Sequence, residues 1–291
     1  MDLHGIHVPL VTPFAADGSV AADALERLAG ELLSAGAAGL VALGTTGEPG
    51  SLDEHEKRTV VEVLAPVCRA HGAPLAVGVG AGDTRRTAEA LAALDGVADA
   101  ALVTVPAFVR PGPAGVLAHF RYLAERSPVP LIVYHIPYRT GQRLDADVLD
   151  EVLRLPGVAG MKYAGGAVDD TAVDLLGRGH RGVLAGDDVQ LSAMMAIGAE
   201  GGILASAHLA TGRYAELADA WHKGEAARAR ELGHRLAVLA RAAFAEPNPA
   251  VVKGVLHAQG RIPTPDVRLP LLPATPAAVT TALTRLAAVT G

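Results

Sequence analysis

Eight short apolar runs, rich in Val, Ile, Leu and Ala and closed by Gly, Pro, Thr or a charged residue, recur along the chain with longer helical stretches between them. They are Ile6–Val11, Gly39–Leu43, Leu75–Val79, Ala100–Val105, Leu131–His135, Val158–Lys162, Gly182–Ala185 and Gly201–Leu204. Such near-continuous apolar runs suit strands of a parallel sheet buried on both faces, and the Ala/Leu/Glu/Arg stretches between them have helical spacing. In Ala21–Ala35 the residues Leu25, Leu28, Leu32 and Leu33 share one face, as on a helix laid over a sheet. Helix starts are marked at Ser51-Leu52-Asp53-Glu54, where Ser51 can cap and Glu54 can reach back, and at Asp83-Thr84 and Asp145.

Eight strand–helix units with no linker predict the α/β class, as a closed (β/α)8 TIM barrel. A doubly wound sheet usually has fewer strands and a cofactor fingerprint after the first. Beyond the eighth run the chain reads as helix over Thr211–Phe244, Pro249–Gln259 and Thr275–Val289. The expected organisation is therefore one structural unit, with the barrel core over 1–210 and the last barrel helix plus a C-terminal helical extension over 211–291.

The composition narrows the function classes. With 50% hydrophobic residues over 291 positions the chain can bury a large core, and a formal charge of −6 without any block of like charges argues against a nucleic acid partner. The single Cys68 excludes an internal disulfide and any multi-Cys metal site, and fits a reducing compartment. The start Met1-Asp2-Leu3-His4-Gly5 lacks a basic region followed by a long apolar run, and every apolar stretch is broken before membrane-spanning length. A cytoplasmic protein with no membrane partner is expected.

In a barrel of this kind chemistry gathers at the C-terminal ends of the strands, so the residues just after each apolar run carry the information. Lys162 ends the sixth run, where an apolar mouth disfavours its ammonium and suits Schiff-base attack on a ketone; the same position also suits a lysine that snorkels or pairs with an acid. Tyr134 ends the adjacent run and can act on the same centre as general acid and base, or simply pack its ring in the core. Gly44-Thr45-Thr46-Gly47-Glu48 offers two hydroxyls and several backbone amides, chemistry suited to a small carboxylate. Arg139 can clamp a second carboxylate or pair with Asp145. Asp187 and Asp188 read as helix caps rather than metal ligands, and no His pair sits at ligand spacing, so no metal and no cofactor is expected. Gly78-Val79-Gly80-Ala81-Gly82 resembles a dinucleotide turn but follows the third run and lacks the later acidic partner, which favours close backbone packing. Of the eleven His residues only His135, beside Tyr134, is placed near the site.

These loops, in this order, resemble the dihydrodipicolinate synthase and N-acetylneuraminate lyase family of pyruvate-dependent class I aldolases. The resemblance runs from Thr12-Pro13-Phe14 through Gly44–Glu48, Tyr134–Gly141, Gly160-Met161-Lys162 and Gly186-Asp187-Asp188 to Glu246-Pro247-Asn248-Pro249, Val252-Lys253 and Arg268-Leu269-Pro270-Leu271. It implies a Schiff-base lysine at Lys162, a proton-relaying Tyr134, and pyruvate carboxylate binding by Thr45 and Thr46. Gly186, Ile203, Phe108 and His135 complete the implied substrate-binding set. The double threonine, Arg139-Thr140-Gly141 and Glu246–Pro249 point to the synthase branch, which condenses pyruvate with aspartate semialdehyde for lysine biosynthesis, with Arg139 on the semialdehyde carboxylate. The implied partners are thus a 2-oxo acid, an aldehyde co-substrate and further copies of the chain in a homotetramer built as a dimer of dimers.

The chain departs from that branch after the fourth run. Synthases usually read Pro-Tyr-Tyr-Asn-Arg-Pro there and donate the second tyrosine across a subunit contact, whereas this chain reads Pro106-Ala107-Phe108-Val109-Arg110-Pro111. His135 replaces the usual asparagine after the relay tyrosine, and a bulky Tyr163 follows Lys162. These departures keep open an aldolase or dehydratase for another 2-oxo acid, such as a sugar-derived one, and a non-catalytic keto-acid-binding relative; the retained Lys162 argues against the latter. Pro49, Gly50 and Gly82 with the cationic Arg86 nearby argue against feedback by lysine.

Overall fold

The computed structural model of the protein describes residues 3–80 and 82–291. Met1-Asp2 of the N-terminal reading and Ala81 of the Gly78–Gly82 turn lie outside the described residues. Eight parallel strands close into a barrel in sequence order. They are β1 (Gly5–Pro9), β2 (Gly39–Ala42), β3 (Leu75–Val79), β4 (Ala100–Thr104), β5 (Leu131–His135), β6 (Val158–Tyr163), β7 (Val183–Ala185) and β8 (Gly201–Ile203).

β3 and β5 match the expected runs end to end, while β1, β2, β4 and β8 stop one or two residues early. At β2 the cause is local: Leu43 has φ 54°, a left-handed conformation that no strand residue adopts. The apolar residues after these strands are already in the loops that follow them.

Packing groups the described chain into two compact units. One holds residues 76–203 with Leu3 and His4, and so carries β4–β8 and nearly all of β3. The other holds residues 5–75 and 204–291, with β1, β2 and the C-terminal helices.

In the second unit the helix Ala22–Ser34 buries Leu25, Leu28, Leu32 and Leu33, as its spacing predicts. The helix Glu54–His71 starts later than expected. Its cap is Asp53, which accepts the Glu56 N–H at 2.8 Å while Glu56 accepts the Asp53 N–H at 2.9 Å, because Pro49–Ser51 is taken up in a 3-10 turn. Asp83 and Asp145 do cap their helices, each accepting the N–H three residues on.

The long helical stretch expected over Thr211–Phe244 divides into Ala207–His222 and Ala226–Ala243, broken at Gly224, whose φ of 75° ends the first helix. The expected boundary at 210 falls where Ala207–His222 kinks, at Ala210. Ala226–Ala243 packs on both Ala207–His222 and the last helix, Pro276–Thr290. Ala250–Ala258 comes so close to Pro276–Thr290 that a Cβ on Gly254 would lie 2.6 Å from Val279 Cγ2. This contact fixes the helix that carries Lys253.

Candidate active site

In the unit of residues 76–203, β5 and β6 pair in a register that sets Tyr134 beside Lys162 and His135 beside Tyr163. Successive strand residues point to opposite faces, so the register sorts these four side chains into two pairs. Lys162 Nζ stands 4.5 Å from the centroid of the Tyr134 ring, and the two residues are only 7% and 6% exposed. Lys162 therefore neither snorkels to solvent nor, among the described residues, forms an ion pair. A buried amine held over an aromatic face is placed for carbonyl chemistry.

The other face corrects two expectations. His135 is fully buried against Tyr163, ring centroids 5.4 Å apart, and among the described residues neither ring nitrogen has a hydrogen-bond partner. It lies on the side of the strand away from Tyr134 and Lys162, because a one-residue step along a strand changes face. Burial, with Arg143 adding to it against the pull of Asp169, brings its pKa down to about 4, so it is neutral near pH 7. Tyr163, noted in the sequence as a bulky departure that keeps another acceptor open, also points away: its hydroxyl donates to Asp169 Oδ1 at 2.6 Å, and Asp169 pairs with Arg143 at 2.7 Å. Burial and the Asp169 carboxylate push its phenol well above the ordinary range.

Asp187, expected as a helix cap, makes no cap bond at the start of the Asp188–Gln190 turn. Its Oδ2 accepts the Gly166 N–H at 2.7 Å. Burial raises its pKa, opposed by the Gly166 N–H and by the charge of Lys162. Gly186 supplies clearance: a Cβ there would lie 2.8 Å from Ala164 Cβ, 2.9 Å from Tyr163 O and 3.0 Å from Lys162 Cγ. Ile203 is buried at the end of β8. Arg139 is exposed in the turn Pro137–Thr140, its guanidinium 5.7 Å from the Tyr138 ring, and makes no pair with Asp145, which caps its helix. Phe108 is 96% exposed and has φ 64°.

In the other unit the threonine turn Thr45–Gly47 follows β2. Two non-glycine residues beside it, Leu43 two positions before the turn and Glu48 directly after it, are left-handed, with φ 54° and 55°. Each such residue costs about 1–3 kcal/mol and persists only where its surroundings fix it. Here they do. Thr12 Oγ1 donates to Gly47 O at 2.8 Å, Asn248 Nδ2 donates to Thr46 Oγ1 at 2.9 Å, and Glu48 accepts Lys253 Nζ at 2.8 Å and the Arg268 N–H at 2.9 Å. Lys253 Nζ and the Arg268 guanidinium also lie over the Phe14 ring, 4.0 Å and 4.4 Å from its centroid. Thr45, half-buried, keeps its hydroxyl without a protein partner among the described residues.

Sequence reasoning quoted Glu48, Asn248, Lys253 and Arg268 as motif residues but gave them no role. The signal was a lone lysine inside the apolar stretch Ala250–Leu256.

The model of the Dihydrodipicolinate synthetase family matches residues 2–288. The chain belongs to this family. Among its relatives are the 4-hydroxy-tetrahydrodipicolinate synthases of Methanothrix thermoacetophila, 36% identical over 92% of this chain and 91% of that protein, and of Synechococcus elongatus, 37% identical over 91% and 89%. Among solved family structures, the dihydrodipicolinate synthase of Thermotoga maritima superposes with a TM-score of 0.94 at 28% identity, covering 99% of each chain. The Acinetobacter baumannii enzyme, solved in complex with pyruvate, superposes at 0.93 with 32% identity over 98% of this chain and 99% of that one. The chain, whose eight parallel strands close into a barrel, is an enzyme of the family's class I lyase type.

Proposed function

We propose that the protein condenses pyruvate with aspartate semialdehyde through a Schiff base on Lys162, as a 4-hydroxy-tetrahydrodipicolinate synthase of lysine biosynthesis. The observation that carries this reading is the buried Lys162 amine, 4.5 Å from the centre of the Tyr134 ring. Neutral Lys162 Nζ attacks C2 of pyruvate and water leaves, giving an iminium that accepts electrons from the neighbouring carbon. Loss of a methyl proton gives the enamine, whose carbon attacks the aldehyde carbon of the second substrate; the new alkoxide takes a proton, and the amine of that substrate adds to C2 and displaces Lys162 Nζ, closing the ring and freeing the lysine. Tyr134 moves these protons as general acid and base, Thr45 and Thr46 hold the pyruvate carboxylate, and Arg139 holds that of the semialdehyde. Gly186 and Ile203 line the substrate's place. This reading of the residue roles is supported by family membership and by the burial of Lys162 with Tyr134.

Phe108 favours a second reading, an aldolase or dehydratase for another 2-oxo acid, because its ring passes no proton. The reading as a homotetramer built as a dimer of dimers is supported by the exposure of Phe108, Val109 and Tyr138 on neighbouring loops of one unit. A cytoplasmic location accords with the biosynthetic role, and no helix among the described residues is long and apolar enough to cross a membrane. Turnover of pyruvate with aspartate semialdehyde, set beside a panel of other aldehydes, tests the substrate. Preference for the semialdehyde supports the synthase, and brisk turnover of another acceptor with none of this one overturns it.

A further inference from the structure

A threonine hydroxyl has one proton and two lone pairs. Inside a helix it usually gives that proton to a carbonyl of the preceding turn, as Thr140 does to Ile136 O at 3.1 Å and Thr211 to Ala207 O at 2.7 Å. Thr46 does otherwise. It is 3% exposed, its oxygen accepts the Asn248 amide at 2.9 Å, and among the described residues its proton has no acceptor. A buried hydroxyl in this state calls for an acceptor from outside the protein.

Asn248 immediately precedes Pro249 and the helix Ala250–Ala258, and Lys253 lies in that helix. One segment therefore grips the turn twice, Asn248 at Thr46 and Lys253 at Glu48, across more than two hundred residues of sequence. Glu48 is bound in turn by the Arg268 N–H, and Gly47 by Thr12. Thr46, Gly47 and Glu48 are thus each held by a long-range contact, while among the described residues the Thr45 hydroxyl and the Thr46 proton are left without a protein partner.

We infer that Asn248 is a positioning residue for the substrate carboxylate: by donating to Thr46 Oγ1 it turns the Thr46 proton toward the carboxylate, while Lys253 holds the far end of the turn through Glu48. The inference rests on the reading in which this turn binds the carboxylate of pyruvate. It assigns Asn248 an effect on the charged end of the substrate and none on the ketone.

The test is borohydride trapping on Lys162 in the full-length protein, titrated with pyruvate and with methyl pyruvate, a ketone without the charge. Asn248→Ala is expected to raise the half-saturating pyruvate concentration about five- to tenfold, the scale of one ordinary hydrogen bond, and to change that of the ester less than about twofold. Asn248→Asp, isosteric and able only to take the Thr46 proton, is expected to weaken pyruvate further while still trapping the ester. In a Thr46→Val background, Asn248→Ala should have no additional effect, because its partner is gone. Equal losses for both ketones, an unchanged pyruvate titration, or full additivity with Thr46→Val overturns the positioning role. No trapping of pyruvate on Lys162 in the unaltered protein overturns the underlying reading as well.

Discussion

Lys253 Nζ lies 2.8 Å from Glu48 Oε1 with neither side chain open to solvent. Burial pulls the lysine's pKa down, and the glutamate restores part of what burial takes. Removing one member of such a pair leaves an uncompensated buried charge, whereas replacing both by apolar groups does not. Lys253→Met is therefore expected to lower stability by about 3–5 kcal/mol. Lys253→Met combined with Glu48→Leu should recover much of that stability without restoring the threonine turn. Urea unfolding of the three proteins checks this; a Lys253→Met loss under about 1 kcal/mol would contradict it.

His135 offers a contrasting case, a polar residue whose removal should help. His119, His135 and His208 are all held near pKa 4 by burial, against an ordinary 6.5. The unfolded chain thus binds more protons than the folded one between these values, and stability falls as pH drops from about 6.5 toward 4. His135→Phe removes one of the three groups and two unpartnered nitrogens, so the loss over that window should shrink. Its kcat should stay within about twofold, since the ring faces away from Lys162. Loss of turnover in this variant would return His135 to the substrate-binding set.

Gly186 gives Lys162 its room. Gly186→Ala would place a methyl carbon 3.0 Å from Lys162 Cγ and 2.9 Å from Tyr163 O, neither easily moved inside β6. Pyruvate trapping by this variant is expected to fall at least about tenfold, with destabilisation of about 1–3 kcal/mol from overpacking. Unchanged trapping would mean that the lysine stem is not confined there.

Phe108 carries the question of substrate. General acid and base help is worth roughly 10²–10⁴-fold, so a missing relay hydroxyl should leave semialdehyde turnover low and Phe108→Tyr should raise it. No gain beside brisk turnover of another 2-oxo acid would mean that the acceptor has changed.

Much of the barrel was legible because its strands are short, apolar and largely buried, so each run locates a strand, although at β1, β2, β4 and β8 the run continues into the loop. Leu131–His135 and Leu75–Val79 were placed to the residue. Cap choice was not legible at Ser51, since Asp53 two residues later has the same capping chemistry and the 3-10 turn over Pro49–Ser51 takes Ser51 out of the cap position. His135 was misplaced for a geometric reason: adjacency in sequence means opposite faces in a strand. The grip of Asn248 and Lys253 on the threonine turn joins residues over two hundred positions apart, and no local pattern encodes such a contact.

The account turns on Lys162, and mass spectrometry after incubation with pyruvate and borohydride tests it most directly. The expected result is one reduced pyruvate adduct on the peptide carrying Lys162, absent in Lys162→Ala, which should fold but not turn over. An unmodified Lys162 peptide, or normal activity in Lys162→Ala, would contradict the account.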